Sequence, residues 1–484
     1  MRPICTDNAG QSRHPPAMLC PAQPSMSISR SILPRLLLPL VLTALGTVVC
    51  AMLIPAEMRS IAEQLTGFPD SDVPAHLARP YILAALCFLP ALATLVYAAS
   101  GTLDRHVARE FASIFFICIC SLLLIWLLID FADKLRDFRK SPNFLFTVAI
   151  FYSARAPAIL LLMLPYALLL SLIYTLGKLS RDREIVAMIQ SGRGIIRIIA
   201  PLLTIGVWCS LFCLGLNYHW APTADGRQDE ILDASRGLLI TEAKHVLYFN
   251  SDTHRLWMVG AFPKNYEKGE PLLNVEVTTT RPDGSLVSRL SAKRARWNRS
   301  DNSWTFEAPV ICLYPPGLPP AFDIPRPATL RQVWPETPWQ LIKPGLAALH
   351  LGIPDLNGWL RSNAARHHSF PNKNTAAPYL TQWHYRWALP FTCLVTVLLA
   401  APLSIHFSRR TQGGNTFLAI VFSALMLLTT SIILNFGEAG FVPPALAAWL
   451  PNIIFSLIGL NLLRNRITGH SIYQSVFRHF KITP

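Results

Sequence analysis

The chain is short of charge. Only 15% of its 484 residues are Asp, Glu, Lys or Arg, where a soluble domain carries about a quarter. The deficit is concentrated. Uncharged runs lie between Arg35 and Glu57, Arg79 and Asp104, Glu110 and Asp130, and Arg155 and Lys178, and four more follow Arg197, Arg386, Arg410 and Glu438. Each is about 19 residues or longer, enough for a helix rising ~1.5 Å per residue to cross ~30 Å of hydrocarbon. About eight transmembrane helices are therefore predicted; the shortest run is Phe111–Ile129.

Signatures of chemistry are missing as well. The only Gly-Lys pair, Gly177-Lys178, lacks both the preceding glycine and the following hydroxyl of a P-loop, so this chain is not expected to cradle ATP phosphates that way. No His-Glu-x-x-His, Gly-x-Ser-x-Gly or Cys-x-x-Cys pattern occurs, and no cofactor, metal or catalytic residue is expected. The apolar runs hold almost no ionisable side chains, which counts against an ion-coupled carrier. Of ten cysteines, Cys50, Cys87, Cys118, Cys120, Cys209, Cys213 and Cys393 lie in apolar runs, where a thiol behaves as a small hydrophobe. Cys312 alone falls in the large polar region, so no disulfide is expected inside it. Residues 1–30 are polar and Pro-rich, without a secretory signal, and read as disordered.

What is present is positive charge, a net +15 from 43 Lys and Arg against 28 Asp and Glu. The basic residues sit mostly at the ends of apolar runs, so nucleic acid is not the expected partner. They set orientation instead, because short cytoplasmic loops are enriched in Lys and Arg. With the N-terminus inside, inside segments carry seventeen basic residues, among them Arg105, Arg109, Lys178, Arg181, Arg193 and Arg464. The short outside loops carry seven: Arg59, Arg79, Lys134, Arg136, Arg139, Lys140 and Arg155. Both termini are thus expected in the cytoplasm. Lys134, Arg136, Arg139 and Lys140 cluster against the rule, which marks them as candidates for a binding role.

The large polar region between His219 and Tyr385 falls outside. His245–Phe249, Arg255–Val259, Leu273–Thr279, Leu286–Ala292 and Trp304–Glu307 are short and β-branched or aromatic near period two, with turn clusters at 250–252, 281–284 and 298–302. They predict an antiparallel all-β sandwich or roll. Six prolines between Pro315 and Pro327 are expected to break regular structure, and a short helix is predicted near Pro354–Ser362.

Leu176–Gly192 carries a further signal. Ser180 or Asp182 can cap a short helix and Gly192 can end it. Ile185, Met188 and Ile189 form an apolar stripe at helical spacing. Such a helix lies on lipid headgroups or docks into a cytoplasmic partner.

Several segments together resemble the LptF/LptG family of lipopolysaccharide-export permeases. They are Leu103-Asp-Arg-His-Val-Ala-Arg-Glu-Phe, Met163-Leu-Pro-Tyr-Ala-Leu-Leu-Leu, Ser180–Gly192, Arg289-Leu-Ser-Ala-Lys-Arg-Ala-Arg-Trp with Trp304, Trp383-His-Tyr-Arg-Trp-Ala-Leu-Pro, Ala401-Pro-Leu-Ser, and Pro443-Pro through Trp449-Leu-Pro-Asn. Their order and spacing over residues 103–466 carry the likeness. The resemblance implies a polytopic α-helical inner-membrane protein with an inserted periplasmic β-jellyroll-like domain. It implies a paralogous permease subunit, a cytoplasmic ATPase dimer, a periplasmic jellyroll bridge component, and lipopolysaccharide as cargo among the membrane lipids.

The organisation expected is a disordered cytoplasmic 1–30, two helices over 31–102 that the family's six spans do not include, a first half-bundle over 103–218 with a coupling helix at 180–192, and a periplasmic domain and return segment over 219–382. A second half-bundle over 383–466 and a cytoplasmic tail over 467–484 complete it. Asp182, Arg183, Glu184, Ile185, Met188 and Gly192 match the coupling segment; Lys134, Arg136, Arg139 and Lys140, joined by Arg386, match basic positions that would meet lipid phosphate. Trp383, Trp387 and Trp449 are expected as interfacial anchors. Two other functions stay open: an envelope-lipid enzyme, for which His384 and Glu438 are the suggestive residues, and a non-transporting membrane protein that binds envelope components.

Overall fold

In the computed structural model the described residues are 28–67, 72–139, 143–224, 241–250, 253–263, 266, 269–298, 301–325, 328–342, 347–364, 376–405 and 412–468. The N-terminal segment expected to be disordered, up to residue 27, and the tail from residue 469 lie outside them.

Long apolar runs become long helices because a chain in hydrocarbon must satisfy its own backbone. Before the sheet come α1 (Ile28–Gly67), α2 (Val73–Leu77), α3 (Arg79–Ala99), α4 (Thr102–Phe138), α5 (Phe144–Arg181), α6 (Glu184–Gln190) and α7 (Ile195–Tyr218). After it come α8 (Pro338–Ile342), a 3-10 turn (Ala348–His350), α9 (Ile353–Ala364), α10 (Ala377–Ala388), α11 (Phe391–Ser404), α12 (Gln412–Glu438) and α13 (Pro444–Ile467). Seven of the described helices are long and apolar enough to cross a membrane, and α10 with α11, bent by 53°, makes an eighth when counted as one span.

The break falls at Leu389-Pro390. Pro390 has no N–H to give and crowds the preceding turn. Carbonyls around the break accept from side chains of neighbouring helices. Asn217 Nδ2 donates to Arg386 O at 2.6 Å, Asn452 Nδ2 to Ala388 O at 2.7 Å, and Ser210 Oγ to Pro390 O at 2.8 Å. Two of these donors come from α7 and one from α13, so a broken span is tolerated where two helices repair it.

Helix α11 is the hub. Its Cys393, Val397 and Ala400 join one core with α4, α5, α6 and α7, and its Val395, Leu399 and Leu403 join a second with Met426 of α12 and Phe455 and Leu462 of α13. Glycines permit these approaches. A Cβ on Gly206 would lie 2.8 Å from Val397 Cγ2, and one on Gly459 would lie 3.1 Å from the Leu398 backbone. Small residues at helix contacts matter here because the hydrophobic effect gives no preference for protein over lipid.

The eight strands β1 (Thr241–Asn250), β2 (Arg255–Pro263), β3 (Leu272–Thr280), β4 (Leu286–Asn298), β5 (Ser303–Glu307), β6 (Val310–Leu313), β7 (Ala321–Asp323) and β8 (Thr329–Gln332) form one antiparallel sheet. β1 to β4 are a meander that then forks. β5 pairs with β4 over residues 294–298 and carries β8; β6 pairs with β4 over residues 288–291 and carries β7. The proline-rich stretch, expected to lack regular structure, thus holds three short strands in and beside it. β7 lies between Pro320 and Pro325 and pairs only with β6, the edge position where proline is compatible with a sheet.

A row crosses the meander between paired residues: His245 (φ 55°), Gly260, Asn274 (φ 52°) and Lys293, of which His245 and Asn274 are left-handed. Buried positions run Ala243, then Val246 and Tyr248; Trp257 and Val259, then Phe262; Leu272, then Val275 and Val277; and Leu290 and Ala292, then Ala295 and Trp297. In every strand the alternation skips one place at that row. A left-handed residue kinks a strand as a bulge does and resets which side chains face inward. The sheet therefore bends along one line while both arms keep their apolar faces on a single core, which holds Trp257, Trp304, Phe306 and Leu341 among others.

Candidate substrate and coupling sites

The opposing-charge cluster at the C-terminal end of α4 does not form one patch. At ~100° per residue, Lys134 and Arg136 point to different sides of the helix. Lys134 turns toward α5, 4.0 Å from Asp130 Oδ1 and 4.6 Å above the Phe151 ring. Arg136 and Arg139 are exposed. Lys140 lies outside the described residues. The cluster is also interleaved with Asp130, Asp133 and Asp137, which the reading by basic residues alone passed over.

Asp130 organises this end. It accepts from Arg155 Nη1 at 2.7 Å and from Tyr152 Oη at 3.1 Å, and Arg155 lies 4.9 Å from the Trp126 ring centroid. Arg155 had counted only as an outside-loop charge. Its real signal was an acid one helix away, which a single sequence does not pair.

Arg386 does not join the basic residues of α4. It is buried, its guanidinium donates to Leu349 O and, at 3.3 Å, to Asn217 Oδ1. It ties α10 to α7 and to the 3-10 turn. Trp383, expected as an interfacial anchor, spends its indole N–H on Asn357 Oδ1 at 2.7 Å. Of the residues considered for an enzyme, Glu438 accepts from Gln382 and His384 lies against Trp383.

At the other end of the bundle, the short helix differs from expectation at its start. Helix α5 runs on through Ser180 to Arg181, so neither Ser180 nor Asp182 caps α6. The chain turns at Arg183, which takes a left-handed conformation (φ 59°), and α6 begins at Glu184 with no side-chain cap. Gly192 follows α6 with φ 87°, the helix stop expected of it. Ile185 and Met188 are buried in the core with Val107, Leu176, Leu179 and Ile198. They hold α6 on the bundle and do not form its outer face. Arg181, Asp182, Arg183, Ala187 and Gln190 are among the exposed residues here.

Three cross-helix pairs seat this end. Asp104 accepts from Arg193 at 2.6 Å, Glu110 from Lys178 at 2.7 Å, and Glu184 meets His106 Nε2 at 2.8 Å. Glu184 thus has a partner within the chain. The segment that begins Leu103-Asp-Arg-His is the start of α4 that receives α5, α6 and α7. Among the described residues no three His, Cys, Asp or Glu side chains are grouped to hold a metal ion.

Comparison with known proteins places these elements. No curated protein matches the chain significantly. The family described as lipopolysaccharide export system permease LptF/LptG matches residues 105–465, from the first turn of α4 to near the end of α13 and about three quarters of the chain. The bundle of α4–α13 with its inserted sheet is the unit matched, and the chain belongs to the LptF/LptG family of lipopolysaccharide export permeases.

Proposed function

We propose that this chain is one of two permease halves of an ATP-driven exporter that takes lipopolysaccharide from the inner membrane and passes it to a periplasmic bridge. The family match carries the reading. The chain works with a paralogous permease subunit and with a cytoplasmic ATPase dimer that does the chemistry. Both termini and α6 face the cytoplasm, and the sheet is a periplasmic jellyroll that receives the lipid.

The architecture supports this division of labour. Short helix α6 is clamped by buried Ile185 and Met188 and by the Glu184–His106 pair, so a push on its exposed rim, Arg181, Asp182, Arg183 and Gln190, would be delivered to α4, α5 and α7 together. Among the described residues of the cluster, Arg136 and Arg139 are the exposed cations that would meet a phosphate from lipid. Arginine suits that task because its planar fork binds phosphate through two hydrogen bonds.

Affinity purification of the full chain from native membranes, followed by identification of bound proteins and lipids, tests the reading. An ATPase, a second permease and a phosphorylated glycolipid are expected together. Recovery without any ATPase, under conditions where the second permease is retained, would overturn it.

A further inference from the structure

Helices α1 to α3 precede the family match at residue 105, yet they are wired into it by a polar joint. Asp72, just before α2, is buried and accepts from Arg361 Nη1 of α9 at 2.8 Å and from Asn357 Nδ2 of α9 at 3.1 Å. Asn357 meanwhile accepts from Trp383 of α10, so the contact runs from the added segment through α9 into α10. Asp355, in the first turn of α9, sits 3.6 Å from His76 Nε2 of α2 and 3.6 Å from His219 Nδ1 at the end of α7. Tyr218 Oη donates to Ala75 O at 2.9 Å. Behind them, Arg79, itself buried, pairs with Glu57 of α1, which also accepts from Trp220 Nε1 at 3.3 Å.

Two features make the joint more than incidental packing. Gly352, immediately before α9, has no room for a side chain: a Cβ would lie 2.9 Å from Tyr218 O and 3.0 Å from His219 Cα. Gly215 likewise admits Leu86, whose Cδ2 would lie 2.5 Å from a Cβ there. Helix α3 is thus fitted to α7, and the start of α9 to the end of α7. The Asp72–Arg361 pair is asymmetric as well, with side-chain exposures of 4% and 67%. A buried carboxylate is costly to leave alone, while its exposed partner can be reached by water and can let go.

We propose that α1 to α3 form a strap that pins the return segment, α9 and α10, to the outer end of α7, with Asp72 and Arg361 as its releasable clasp. The segment between sheet and bundle is then held from two sides: by α7 through Arg386, and by the strap through Asp72 and Asp355. This inference rests on contacts within the chain and is independent of what the chain carries.

Hydrogen exchange of the full chain in lipid nanodiscs tests it, read at the amides of α9. Asp72→Arg places two cations together and should raise α9 exchange about tenfold or more, with α5 and α11 unchanged. Asp72→Arg combined with Arg361→Asp restores the pair in reverse and should bring exchange back to within about twofold of the parent, the coupling that a double-mutant comparison isolates. Should Asp72→Arg fail to fold, Arg361→Gln decides: it removes only the exposed partner and should raise α9 exchange about threefold. Unchanged α9 exchange in either single variant, or no recovery in a folded double variant, would overturn the strap.

Discussion

Arg183 is the residue at which conformation and charge are easiest to separate. A left-handed non-glycine residue costs roughly 1–2 kcal/mol, while glycine loses about 0.5–1 kcal/mol more conformational freedom on folding. The two nearly cancel in Arg183→Gly, which should leave thermal stability in detergent almost unchanged. If the exposed guanidinium meets the ATPase, capture of that partner should nevertheless fall about threefold or more. Equal capture would assign Arg183 to the turn alone. Asp355 makes a second residue-level test. Burial pushes its carboxyl upward, but the bond from His219 and the charges of His76 and Arg79 outweigh this and hold it below the usual range. Asp72 and Arg361 face the same helix from the strap and from α9 itself. A lowered acid adds stability that is complete above its unfolded pKa of about 3.9 and lost as pH falls through its lower folded value. Protection of α9 should therefore stay level from neutral pH to about pH 5 and drop only below about pH 4. In Asp355→Asn that acid step should vanish; an α9 that loosens near pH 6 would assign control to the histidines.

The strands and helices follow different rules, and each shows where one residue decides an element. In the sheet, the bend depends on Gly260 facing Asn274. A Cβ at 260 would lie 2.9 Å from Asn274 Cβ and 3.2 Å from Leu273 O. Gly260→Val should cost about 1–3 kcal/mol by overpacking, whereas Asn274→Gly, which relieves a positive φ, should be close to neutral. Chemical denaturation of the full chain, followed by tryptophan emission from the Trp257–Trp304 cluster, reads both; equal effects would mean that the row does not set the bend. In the bundle, α6 shows how an amphipathic stripe misleads. Ile185, Met188 and Ile189 were legible as one face, but periodicity does not name what covers that face. The cover is α4, α5 and α7. The true start of α6 was illegible because the preference of serine for a cap is small beside the burial of Ile185, which decides where α6 begins.

For the whole molecule, parity governs orientation. The two crossings added by α1 and α3 are even in number, so they return the chain to the side from which α4 starts, and the added hairpin leaves the inside-outside order of the matched unit intact. A periplasm-dependent reporter fused after Pro484 should stay silent; activity there would mean an odd number of crossings or an N-terminus on the outer side. Lipid access is argued at the same scale, because it depends on which surface of the bundle stays open. Lys134 faces α5, whereas Arg136 and Arg139 are exposed. A photo-crosslinker at Arg136 should capture lipopolysaccharide, and one at Arg59, exposed on α1, should capture little. Reversing Arg136 and Arg139 to Glu should weaken glycolipid binding about tenfold or more, on the order of 1.4 kcal/mol. Reversing Lys134 should act mainly on stability through Asp130 and Phe151. Matching capture at both probes would leave the α4 arginines as solvated charge.

The sequence by itself determined what depends on composition and near neighbours. The apolar spans, the position of the polar insertion, the five main strands and their turns, and the helical stop at Gly192 follow from runs, periods and single residues, because hydrocarbon and the strand pleat act on each segment locally; whether the bent α10–α11 pair is one span does not. The family likeness was legible too, since it rests on segments in order. Partners distant in the chain were decided only in the folded molecule. Arg386 and Lys134 looked like free cations until Asn217, Leu349, Asp130 and Phe151 came to them. Asp72 and Asp355 carried no local signal at all, because a buried carboxylate becomes tolerable only when residues hundreds of positions away supply its donors. The sheet's bend was decided in the same way. Gly260 and Asn274 are ordinary in their own strands and become a corner only when pairing sets them side by side.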